Sequence, residues 1–406
     1  MKKYDLLTPE GTRDLLFDEC AARRIVEEKL RKIFEAYGYS EVVTPGVEFY
    51  DVFNLKARYF SQESMYKLSD SKGRLLVIRP DSTMPIARLA ATRLREEALP
   101  LKLFYNQTIF RINPKNSGRD DEITQSGIEI IGGDRERADF EVLTLAVEAL
   151  KACAVDEFRF EIGDSALFKA LVAKLGADDE ENEEIRSAIE TKNYPELGKL
   201  LEKYGNNASA KALYMLSKMF GGAEVFEKAA EMVVVDSETE KILEDVRRTY
   251  DYLCSLGVKE QVTVDLGLVN KANYYTGVLF RGYIAGCGMS VLSGGRYDTL
   301  LGDFGTAMPA TGFAVNVNAT ANALLKKSDK TLMKKPDVMV YADKKQLTAA
   351  AAHCRKLISE GNIIHKSLFD TVEETVECAK RKGIKRVDCI DGTGALSTIK
   401  IDVQGE

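Results

Sequence analysis

The chain has 406 residues, 45% of them apolar and 30% charged, with a formal net charge of −6. That length fits two or three domains, each able to bury a sizeable core. The negative balance argues against a protein that grips nucleic acid mainly through its phosphates, and no apolar run reaches the length needed to cross a membrane.

The N-terminus, MKKYDLLTPEG, lacks the apolar stretch of a secretion signal. The seven cysteines are scattered, and none forms a C-x-x-C pair. Free thiols in a reducing cytoplasm are the expectation. The two histidines, His353 and His365, come late in the chain. His353 adjoins Cys354, but four spaced metal ligands are not visible, so no metal and no cofactor is expected.

In chain order, Val26, Leu30, Ile33, Phe34 and Tyr37 predict an amphipathic helix over 19–37, with Gly38 at its C-cap. YSEVVTP predicts a short strand closed by Pro45, and RLLVIR a strand stopped by Pro80. Asp81 or Ser82 caps a helix through MPIARLAATRLREE. Strands follow over 101–112 and 122–131 around the loop PKNSGRDD. A helix over 136–153 and the strand FRFEIG come next. From about 164 to 250 the pattern is helical throughout, and the acid run DDEENEE reads as a solvated helix start. Strands resume at 261–266 and 278–284, SGGRYD reads as a tight glycine turn, and GFAVNV as a strand entering a helix. After a linker at 325–335, strand and helix patterns alternate as a small α/β domain over 336–406. From residue 334 that end carries 13 basic and 11 acidic residues, a weak positive footprint.

Candidate chemistry clusters in the first part. Arg111, Arg119 and Arg296 occupy a strand end or glycine-rich stretches, where a planar guanidinium suits phosphate or carboxylate; an ordinary salt bridge is the plainer reading. Gln125 and Glu129 are four apart on a strand and share a face. Gly127 between them has no side chain and leaves room above the sheet. Buried polar groups there are costly unless they bind something, and an ammonium or imidazole would suit them. Asp81 is a helix cap or a ligand. Tyr274 and Tyr275 are core aromatics or a pocket wall. With no early histidine, a histidine base in the core is excluded.

In sequence order, PEGTRD, GYSEVVTP, RPDST, FRINPKNSGRDDEITQSGIE, ANYYTG and SGGRYD, followed by PATGFAVNV, resemble the core of class II aminoacyl-tRNA synthetases, specifically histidyl-tRNA synthetase, over roughly residues 5–320. The resemblance implies an α+β fold: an antiparallel sheet core with helices over 1–324, a helical insertion, and a final domain like a shortened anticodon-binding domain. It implies that Asp81, Thr83, Arg111, Gln125, Glu129, Tyr274 and Tyr275 match histidine-binding positions. Three positions depart from it. Asn113 replaces the glutamate that meets adenine, Asn270 replaces the catalytic arginine, and Ala319 falls in the string NVNA where an arginine for the ATP phosphates belongs.

Retained binding positions beside lost ATP positions resemble the regulatory subunits of ATP phosphoribosyltransferase, as does the RPD-x-T variant. That resemblance implies a non-catalytic chain in the first step of histidine biosynthesis. Its implied partner is a short-form catalytic subunit, in a hetero-octamer built on a self-associated dimer. Histidine is the implied effector, and no tRNA or membrane partner is expected. The alternatives are a true histidyl-tRNA synthetase or another synthetase-like histidine-binding module.

Overall fold

The computed structural model describes residues 4–55, 59–114, 118–153, 157–269, 274–328 and 331–402. The chain divides into two compact units, residues 1–328 and 329–406.

The first unit begins with α1 (Asp18–Ala36), whose inward face is Val26, Leu30 and Phe34, as its spacing predicts. The predicted strand after it is only two residues, β1 (Ser40–Glu41). A separate small sheet takes β2 (Val47–Phe49), β3 (Lys67–Ser69) and β4 (Leu75–Ile78), in the order β2-β4-β3. Helix α2 (Thr83–Thr92) is shorter than predicted, and the chain turns at 93–97.

The long strands β5 (Leu101–Phe110) and β6 (Glu122–Ile131) pair antiparallel along their whole length. Helix α3 (Arg135–Cys153) leads to β7 (Phe158–Asp164). Then come α4 (Ser165–Ala173), α5 (Asp179–Glu190), α6 (Tyr194–Glu202), α7 (Ala208–Leu216), β8 (Phe220–Gly221), α8 (Glu224–Met232) and α9 (Ser237–Ser255). The helical stretch therefore runs to Ser255 and contributes one short strand to the main sheet. The acid run starts α5, with Asp178 accepting from the Glu181 amide.

Strands β9 (Val262–Asp265), β10 (Val278–Ile284), β11 (Leu292–Arg296) and β12 (Ala310–Asn316) complete a nine-stranded sheet of order β1-β5-β6-β12-β11-β10-β7-β9-β8. It is antiparallel except where β1 joins β5 and β7 joins β9. The short α10 (Leu300–Asp303) precedes β12, and α11 (Val317–Lys327) follows it. Residues 325–327, read as linker, are thus the last turn of α11.

SGGRYD is not a turn. Ser293 to Arg296 lie within β11, paired on both sides, and neither glycine has a positive φ. These glycines admit close neighbouring strands instead of reversing the chain. One face of the sheet is covered by α1 and α3, with Phe34 packed on Phe104 and Phe313 at ring distances of 5.8 and 6.0 Å. The opposite face carries Tyr105, Glu129 and Gly312 and is open to a cavity.

In the second unit, β13 (Val338–Ala342), α12 (Leu347–Ser359), β14 (Ile364–Lys366), α13 (Val372–Arg381) and β15 (Arg386–Ile390) alternate as the sequence predicts. A further strand, β16 (Leu396–Lys400), pairs antiparallel with β15 and was not foreseen. The sheet order is β14-β13-β15-β16, with α12 packed on Val338 and Val340 and α13 beside Met339 and Val387. His353 Nε2 donates to the buried Asp388 carboxylate at 2.7 Å, and Arg386 also clasps that carboxylate. Among the described residues no group of three or more His, Cys, Asp or Glu could hold a metal, and no helix is long and apolar enough to cross a membrane.

Candidate ligand pocket

The strand period of two sets Gln125, Gly127 and Glu129 on the open face of β6. Register brings Leu103, Tyr105 and Gln107 of β5 beside them, and Gly312 and Ala314 of β12 on the other side. The loop into α2 closes one end with Asp81 and Thr83. The segment before β10 supplies Tyr274 and Tyr275. A cavity of about 370 Å³ results, lined by all seven predicted residues: Asp81, Thr83, Arg111, Gln125, Glu129, Tyr274 and Tyr275.

Glu129 is the deepest polar group. It is 1% exposed, and its carboxyl accepts from Thr83 Oγ1 at 2.8 Å and from the Tyr297 hydroxyl. Burial pushes its pKa from 4.5 up to about 8, against those two hydrogen bonds, and nearby Asp81 adds to the rise. Gly312 is required beside it, because a Cβ there would lie 2.0 Å from Glu129 Oε2.

Asp81 is both cap and pocket wall. Its Oδ1 accepts from the Met84 amide at 3.0 Å, and its Oδ2 faces Arg111 Nη2 at 3.3 Å. Burial raises its pKa, and Arg111 opposes the rise. Arg111 also donates to the Pro80 carbonyl at 2.6 Å and lies over the Phe60 ring. The arginine of RPDST has a purely bracing part: Arg79 is buried and donates to Thr44 O, Thr108 O and Gln107 Oε1. That clasp fixes the loop carrying Asp81 against β5.

The room expected above Gly127 is occupied. A Cβ at Gly127 would lie 2.7 Å from the Tyr105 hydroxyl, so the glycine accommodates Tyr105 and not a ligand. Tyr105, Tyr59 and Tyr297 line the cavity as well, and none was singled out from the sequence. Tyr274 packs against Tyr59, Tyr275 and Tyr297 at ring distances of 5.7, 4.6 and 5.8 Å. Reading SGGRYD as a strand would have found Tyr297, since Ser293, Gly295 and Tyr297 then alternate onto one face.

Arg296 does not reach the cavity's ligand space. It is 2% exposed and bound by Asp139 and Asp298 at 2.8 and 2.7 Å, the ordinary salt bridge. Arg119 lines both the first cavity and a second of about 620 Å³, which also meets Asn318 and Ala319.

Two of the three departing positions have local bracing parts. Asn113 Nδ2 donates to Arg111 O, Asp120 O and Asp121 Oδ1, which closes the β5–β6 hairpin on itself. Ala319 lies in the first turn of α11, where its amide donates to the Asn316 cap. Asn270 lies outside the described residues.

Compared with known proteins, residues 11–320 match the family model described as Histidyl-tRNA synthetase. A relative from Clostridium kluyveri, named ATP phosphoribosyltransferase regulatory subunit, is 41% identical over 95% of this chain and 99% of its own length. The chain belongs to the family of ATP phosphoribosyltransferase regulatory subunits. A Bacillus mycoides regulatory subunit of that name is 39% identical over 95% of this chain and 92% of its own length. Among solved structures, one from Bacillus halodurans C, titled an ATP phosphoribosyltransferase regulatory subunit/histidyl-tRNA synthetase, is 28% identical, with a TM-score of 0.83 over 96% of this chain and all of that one. Histidyl-tRNA synthetase from Nostoc is 20% identical, with a TM-score of 0.77 over 98% of this chain and 97% of that one, a likeness of fold alone. Regulatory subunits of this family thus carry a synthetase-type α+β core, and the name implies a catalytic ATP phosphoribosyltransferase subunit as partner.

Proposed function

We propose that this regulatory subunit binds histidine in the tyrosine-lined cavity, does not activate it with ATP, and relays its presence to a short-form catalytic subunit. The observation that carries the reading is the donor set. Two buried carboxylates, Asp81 and Glu129, and the partly exposed guanidinium of Arg111 line a single cavity of about 370 Å³, on whose lining Arg119 also lies. Histidine offers two groups that can be cationic and one carboxylate, the matching charges. Asp81 receives the ammonium, Arg111 the carboxylate, and Glu129 the imidazole, while the tyrosines exclude water.

The chain activates its partner when empty, and histidine reverses that activation by favouring a second arrangement of the subunit interface. Self-association into a dimer within a hetero-octamer belongs to the same reading. Val47, Phe49 and Leu68 share one exposed apolar face of the small sheet, which a second copy would cover. The neutral residues at 113, 270 and 319 are the reason for expecting no adenylation. The chain acts in the cytoplasm, without tRNA.

Calorimetric titration with histidine tests the pocket directly, and the protonation of Glu129 sets its pH profile. Free imidazole has a pKa of about 6.5, and Glu129 in the empty pocket one of about 8. Between those values the imidazole arrives neutral and Glu129 already holds a proton. One proton is then shared in the complex with no net uptake. Affinity is expected to be flat across that window. Above pH 8 it falls because Glu129 has lost the proton, and below 6.5 because one of two protons must leave, by roughly tenfold per unit in either direction. A monotonic profile through pH 6–9 would remove Glu129 from the ligand.

A further inference from the structure

The tyrosine wall is not held by the sheet alone. Its segment runs from Asp265, at the end of β9, to Gly277, before β10, and the helical stretch grips both ends of it. At the upstream end, Lys192 between α5 and α6 pairs with Asp265 at 2.8 Å, and the Leu266 amide donates to Met219 O at 3.0 Å. Gly267 is seated against Ser217, where a Cβ would be 3.1 Å from the Ser217 Cα. At the downstream end, α4 takes over. The Ser165 amide and hydroxyl both donate to Gly277 O, at 3.0 and 3.1 Å, and Lys169 Nζ donates to Tyr275 O at 2.7 Å.

We infer that Lys169 is a positioning residue for the ligand pocket, acting through the backbone carbonyl of Tyr275. It lines no part of the cavity, yet its ammonium is bonded to the main chain of a residue that does. An ammonium-to-carbonyl bond is stronger than a neutral one, and losing it leaves the carbonyl without that donor; the bond is partly buried, although Lys169 as a whole is exposed. Burial lowers the Lys169 pKa, and Asp164, which caps α4, opposes the fall. The Tyr275 ring packs on Tyr274, which packs in turn on Tyr59 and Tyr297, so a displaced Tyr275 backbone alters the shape of the cavity wall. The helical stretch is in this way part of the binding site, although it contributes no side chain to the ligand.

The inference rests on the proposed histidine pocket for its functional reading, and two measurements on the full chain separate the two. The first is hydrogen exchange of the empty protein, wild type against Lys169→Met and Lys169→Arg. Lys169→Met is expected to speed exchange of the Thr276 and Gly277 amides by about tenfold or more, with α9 and β6 unchanged, and Lys169→Arg to restore most of the protection. Unchanged exchange at 276–277 overturns the inference whether or not histidine binds. The second is histidine titration of the same three proteins. Lys169→Met is expected to raise Kd by about tenfold with Lys169→Arg within threefold of wild type, a rescue that a mere loss of stability would not give. Equal Kd for wild type and Lys169→Met overturns the inference while leaving the pocket reading intact. Absence of histidine binding by the wild type sinks the pocket reading, and the exchange result then decides the inference alone.

Discussion

Glu129→Gln is expected to weaken histidine binding by tenfold to a hundredfold while raising the melting temperature of the empty chain. The two effects have one cause. A carboxylate meeting an imidazolium in a dry pocket forms a charge-assisted hydrogen bond worth roughly 1.5–3 kcal/mol, and a glutamine cannot supply the charge. In the empty pocket the same carboxyl is a liability. Its folded pKa of about 8 lies above the unfolded value near 4.5. A group with a raised folded pKa contributes stability that is fully present below pH 4.5 and is lost as pH rises to about 8. Over that window the wild type loses about 5 kcal/mol through this one group. Glutamine resembles the protonated form and does not titrate. The difference in melting temperature between Glu129→Gln and wild type should therefore grow from pH 5 to 8, reach roughly 5 °C, and level off above pH 8. Buried Asp164, lifted to about 7, adds a decline that both proteins share. Melting curves at four pH values and one titration series check both halves. A variant that is destabilised at pH 8 would mean that the glutamate is a structural brace for Thr83 and Tyr297, not a binding group.

Histidine-dependent exchange of pyrophosphate into ATP is expected to be lower than that of a true histidyl-tRNA synthetase by about 10³-fold or more. Each preorganised donor lost from a developing charge costs roughly 3–4 kcal/mol, and the resemblance places two arginines among the losses, at 270 and 319. Arg111 does not replace them, because the proposed pocket commits it to the histidine carboxylate, beside Asp81 and the Pro80 carbonyl. Nor is reversion of Asn113 to glutamate expected to restore activity. A carboxylate there would face the Asp121 carboxylate, which now accepts from the Asn113 side chain at 3.2 Å. A radiolabel exchange assay reads this directly, and a rate within a hundredfold of the synthetase would overturn the non-catalytic reading.

Much of the site was legible because strand geometry has a period of two. Gln125 and Glu129 had to share a face, and the quoted motifs placed Asp81, Arg111 and the two tyrosines in the chain around it. Glycine was the main source of error. Gly294 and Gly295 look like turn residues, but they occur in a central strand whose neighbours approach closely, and the misreading hid Tyr297. Gly127 looks like empty space, but it receives the Tyr105 hydroxyl. The strand β16 was missed because LSTIK is short, largely exposed and next to a glycine turn. Arg296 shows why residue type alone decides little: Asp139, 157 positions away, and Asp298, two positions on, turn a candidate anion ligand into a brace. The hold of Lys169 on Tyr275 spans 106 positions in the chain and leaves no local signal.

The central claim is tested most directly by phosphoribosyl-ATP formation by a short-form catalytic subunit, with and without this chain, as histidine is titrated in. Strong activation that histidine reverses, with the reversal weakened in Glu129→Gln, is the result the account predicts. No activation by the chain, or inhibition unchanged by Glu129→Gln, would contradict it.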